Sequence, residues 1–62
     1  MYRVVANFYD GSQFKLGYQF ATEWAAQIYA RDCIENENVH DSYVWDTDTG
    51  EIISQYETSR AL

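Results

Sequence analysis

The chain has 62 residues, with ten carboxylates against four Lys and Arg, a net charge of −6, and 47% hydrophobic and 18% aromatic residues. That length admits one core and no second domain, and so many aromatic residues exclude a disordered acidic tail. Cys33 is the single cysteine, which excludes an intrachain disulfide and leads us to expect a reducing, cytoplasmic setting.

Tyr2 to Tyr9 is rich in β-branched and aromatic residues and is followed by Asp10-Gly11-Ser12, a turn signal. From Phe14 the pattern alternates, with Phe14, Leu16, Tyr18 and Phe20 apolar around Lys15, Gly17 and Gln19, so an antiparallel hairpin is predicted. Thr22 is a candidate N-cap for a helix of about 13 residues running to about Glu35. On a helical projection Ala21, Trp24, Ala25, Ala26, Ile28, Tyr29 and Cys33 share one arc, opposite Glu23, Gln27 and Arg31. Ala21 and Ala25 near the centre of that arc are expected to meet a sheet closely.

Glu35-Asn36-Glu37-Asn38 reads as the following loop. Val39 to Trp45 and Glu51 to Tyr56 then read as a second hairpin, joined by Asp46-Thr47-Asp48-Thr49-Gly50 with Gly50 in the left-handed position. Residues 57–62 read as a frayed tail beyond a single domain of residues 1–56. The order ββαββ predicts an α+β two-layer sandwich: an antiparallel four-stranded sheet with the helix packed on one face.

One helix cannot cover both faces of such a sheet. The first strand is apolar at both parities, and Tyr43-Val44-Trp45 are consecutive, a pattern of strands buried on both sides. A second copy of the chain or another protein is therefore expected on the helix-free face or a sheet edge. The aromatic contacts proposed are Tyr43, Trp45 and Tyr56. The alternative is that amphipathic tyrosines line a wet face.

Residues 1–31 carry a net charge of +1, from Arg3, Lys15 and Arg31 against Asp10 and Glu23, and the remainder carries −7. An acidic second half disfavours direct nucleic-acid or anionic-membrane binding and favours a basic protein partner. Asp32, Glu35, Glu37, Asp41, Asp46, Asp48 and Glu51 are the candidate acidic face, on the expectation that the helix end and second hairpin converge. Solubility alone is the competing account.

Signals for chemistry are sparse. Glu57 falls eleven residues after Asp46, as in a calcium loop, but the fifth position is Gly50 and both flanks read as strands, so a hairpin turn is favoured. His40, Asp41 and Cys33 are isolated acid, base or nucleophile candidates, and Cys33 lies on the apolar arc. The N-terminal apolar stretch is far below the length of a membrane span or signal-peptide core. No metal or cofactor is expected. The functional expectation is a non-enzymatic protein-binding module, of a size and charge common among phage and mobile-element inhibitors that block a basic site on a host defence enzyme. A homo-oligomeric assembly protein is the alternative.

Overall fold

In the computed structural model residues 1–58 are described. They form β1 (Tyr2–Phe8), β2 (Gln13–Lys15), α1 (Glu23–Cys33), β3 (Val39–Asp46) and β4 (Ile52–Glu57). The strands make one antiparallel sheet of order β2-β1-β3-β4, with the helix on one face. The ββαββ sandwich expected from the sequence is the architecture observed. Its two hairpins meet through their first strands, β1 and β3, which leaves β2 and β4 as the edges.

The turns follow their residues. Gly11 (φ 91°) and Gly50 (φ 79°) adopt the left-handed conformation that side-chain-bearing residues avoid. In the first turn the Asp10 carboxylate accepts from the Ser12 hydroxyl and N–H at 2.6 and 2.8 Å. Those bonds, the hydroxyl first, lower the Asp10 pKa. In the second, the Gly50 N–H donates to the Asp46 carbonyl at 2.8 Å and the Asp46 N–H to the Glu51 carbonyl at 2.9 Å.

The helix starts as expected, with the Thr22 hydroxyl accepting from the Ala25 N–H at 3.2 Å. It ends at Cys33, short of Glu35, because the Ile34 and Glu35 N–H groups turn to the Arg31 and Asp32 carbonyls. Its buried face differs from the expected arc. Ala26 and Ala30 are the fully buried helical residues, packed with Val4 and Val44, while Trp24 is 71% exposed. Two alanines four apart stack on one face, and without bulk there the backbone comes near enough for the Ser42 hydroxyl to reach the Ala30 carbonyl at 2.6 Å. A helix seated on Ala21, Trp24 and Ala25 would put an indole in that gap.

The second strand is shorter than its alternation implies. Pairing with β1 stops at Lys15, and after the Leu16 N–H meets the Val4 carbonyl, residues 17–19 leave the sheet. Phe20 returns to exchange both backbone bonds with Tyr2, at 2.9 and 2.8 Å. Its ring then meets Tyr18 edge to face at 4.8 Å and Tyr29 at a tilt at 5.7 Å, beside the helix. At the other end, Glu57 belongs to β4, opposite Asp41, and the Thr58 N–H donates to the His40 carbonyl. The predicted fraying beyond Thr58 lies outside the described residues.

Candidate functional site

Register assigns the two sheet faces. Val4 is opposite Val44, and Ala6 is opposite Ser42 and Phe14. Because Val4 and Val44 pack on the helix, alternation puts Ser42, Ala6 and Phe14 on that face. The helix-free face carries Arg3 opposite Trp45, Val5 between Lys15 and Tyr43, and Asn7 opposite Asp41. Tyr43 and Trp45 thus share it, but Tyr56 does not: it is opposite Ser42 and packs against the core. The three proposed aromatic contacts are not one surface, because Tyr56 has the other parity.

The helix-free face is also not an open apolar plate. Val5 is only 2% exposed, and Tyr43 and Trp45 are half-buried. Long side chains on neighbouring strands cover much of it within one copy. Four of the exposed large apolar residues lie toward the edges, Phe14 and Tyr18 beside β2 and Trp24 and Ile52 beside β4; Met1, before β1, and Tyr29, on the helix, are exposed as well.

The β4 side has more shape. The helix packs chiefly over β1 and β3, touches β4 little and does not contact β2. Between them runs a hollow of about 190 Å³ lined by Trp24, Gln27, Ile28, Arg31 and Tyr56. The Gln27 amide, in that lining, donates to the Ser54 hydroxyl at 2.8 Å and ties α1 to β4. A second hollow follows the outer edge of β4 from Ile52 to Gln55. Periodicity and composition do not mark Trp24, Arg31 or Ile52 as contacts. The signal was the Ala26 and Ala30 pair: seating that face on the sheet turns Trp24 and Arg31 outward.

The candidate acidic residues do not converge. Asp32, Glu35 and Glu37 lie at the end of α1 and in the following turn, next to the start of β3. Asp46, Asp48 and Glu51 surround the far hairpin, about 23 Å away along an eight-residue strand. The domain measures 35 × 19 × 17 Å, so these are two patches on one long axis. Several of the carboxylates also have structural work. The Asp46 Oδ1 accepts from the Asp48 N–H at 2.8 Å, and the Asp48 Oδ2 lies 3.5 Å from the Met1 amino group. Asp41 accepts from the Asn7 amide at 3.2 Å and lies 3.0 Å from the His40 Nδ1.

His40 is exposed, its ring edge-on to Tyr9 at 5.1 Å. Cys33 packs against the core, and its pKa is raised by burial and then by Asp32. A half-buried thiol held protonated is a poor nucleophile. Among the described residues no three His, Cys, Asp or Glu side chains are grouped to hold a metal ion, and no helix is long and apolar enough to cross a membrane. No protein-family model matches the chain, and neither a curated protein nor a solved structure does.

Proposed function

We propose that the chain is a non-enzymatic protein-binding module that engages its partner on the side where α1 leaves β4 uncovered. The observation that supports this reading is the indole of Trp24, 71% exposed above a hollow shared with Arg31 and Tyr56. Trp, Arg and Tyr are the residue types that dominate binding energy at protein interfaces. At about 190 Å³ the hollow is smaller than the roughly 300 to 1,000 Å³ of small-molecule sites. It suits the side chains of a protein surface better than an enclosed substrate.

Within this reading, an inhibitor role toward a basic nucleic-acid or nucleotide site on a host defence enzyme is supported by the net charge of −6 and by analogy with short acidic phage proteins. The carboxylates would supply long-range attraction, from two ends of the domain. A cytoplasmic location and no direct contact with nucleic acid belong to the same proposal.

The test is affinity capture from a lysate of the cells that make the protein, using wild type, Trp24→Ala and the double variant Asp46→Lys, Asp48→Lys. Trp24→Ala should lose the captured protein while melting like wild type, because an exposed substitution shifts stability by about 0.5 kcal/mol or less. The double variant should reduce the salt sensitivity of capture. Retention by Trp24→Ala at wild-type levels would remove this surface from the proposal.

A further inference from the structure

The two edges of the sheet are unlike. β2 has three residues and includes Lys15, both features that protect an edge from further pairing. β4 has six residues, Ile-Ile-Ser-Gln-Tyr-Glu, with no Lys or Pro and its one charge at the end. Among the described residues no strand pairs with its outer side.

The direction of its backbone groups follows from the ladder. The Thr58 N–H bonds to the His40 carbonyl, and alternate residues of an antiparallel strand point the same way. Tyr56 and Ser54 therefore face β3, while Gln55 and Glu57 present N–H and C=O outward; the alternation stops at Ser54, because Ile53 is the extra residue of the bulge between the Val44–Ser54 and Trp45–Ile52 pairs.

We infer that a second copy of this chain pairs antiparallel with the outer edge of β4, about a two-fold axis that sets Gln55 opposite Gln55 of the partner. The inference rests on the reading above, that the β4 side of the domain binds protein. An axis normal to the sheet requires each residue to face its own counterpart's mirror position, so the centre falls on a residue pair. Centring on Ser54 would oppose Glu51 to Glu57 of the other copy, two like charges. Centring on Gln55 instead sets Glu57 against Ile53 and Ser54 against Tyr56. It also makes the central pair hydrogen-bonded, with the outward N–H and C=O groups of the two Gln55 residues exchanged.

The same axis puts both helices on one face of an eight-stranded sheet. Each hollow between α1 and β4 becomes half of a single cleft floored by the two β4 strands. The two acidic patches of each copy lie toward the ends of the strands, away from the central Gln55 pair. The charge of −6 per copy still opposes association, so the dimer should tighten as salt rises.

The test is sedimentation of the full chain up to about 1 mM, for wild type, Gln55→Lys, Gln55→Glu and an equimolar mixture of the two variants. Wild type should dimerise. Each variant alone should weaken association about tenfold or more, by placing like charges across the axis, and the mixture should restore it. Hydrogen exchange on the wild type gives a second reading that needs no variant: the outward Gln55 amide should be protected at high concentration and exchange freely on dilution. A monomer throughout, or a dimer indifferent to both charges, would overturn self-pairing at this edge. Either result leaves the protein-binding reading to be decided separately by the Trp24→Ala capture.

Discussion

The hydroxyl of Ser42, on the central strand β3, donates to the carbonyl of Ala30 in α1 at 2.6 Å, and Ser42 is fully buried. This bond joins helix to sheet at their closest approach. It gives one buried hydroxyl a partner and gives the Ala30 carbonyl, near the end of the helix, a donor. Ser42→Ala should therefore destabilise the fold by about 1 kcal/mol, read as a lower urea midpoint with an unchanged slope. An unchanged midpoint would show that the contact is incidental to the packing.

Ala26 and Ala30 are both 0% exposed. Ala30→Leu should cost about 1 to 3 kcal/mol or more, because added methylenes must displace β1 and β3 from the helix. The equally apolar change Ala21→Leu, at an exposed position, should cost little. Thermal melts of the pair compare the observed helix seating with the seating on Ala21 and Ala25 that periodicity suggested.

Asp41 and Glu57 stand directly opposite each other on β3 and β4. Theirs is a non-hydrogen-bonded pair, where facing side chains are closest. Like charges so placed are destabilising, and Glu57→Gln should raise stability by about 0.2 to 1 kcal/mol. The gain should shrink in high salt; a loss of stability would mean that Glu57 has a favourable contact outweighing the repulsion.

Thr22 caps α1 through the Ala25 N–H. Thr22→Ala should cost about 1 kcal/mol and Thr22→Ser much less, since serine keeps the accepting oxygen. Equal losses in denaturant titrations would point to the methyl group instead of the cap.

Burial first, and the neighbouring Asp32 carboxylate second, hold the Cys33 pKa above the ordinary thiol value. The folded state therefore binds this proton more tightly than the unfolded chain. Its contribution to stability is constant at low and neutral pH and declines as pH rises past the ordinary thiol value. Iodoacetamide should label the native protein more slowly than the unfolded chain at neutral pH. Matching rates would place the thiol in solvent.

The sequence by itself determined what depends on neighbours along the chain. Gly11 and Gly50 marked left-handed turn positions, Thr22 marked the helix start, and period-two and period-3.6 patterns marked strands and helix. Short loops then left little freedom in the element order, and ββαββ with one helix implied two layers. Composition likewise located the charge in the second half.

Only the tertiary structure decided which parts of those elements face one another. Trp24 reads as core by hydrophobicity, yet the core took Ala26 and Ala30, because close helix and sheet contact rewards small residues and a buried hydroxyl bond more than one large ring. Tyr56 shares its type with Tyr43 and Trp45 but its parity with Ser42, a matter of register between β3 and β4. The acidic residues are near in sequence and far in space, because an eight-residue strand separates the helix end from the far hairpin. The open β4 edge followed from strand order, which long-range pairing sets and local pattern does not.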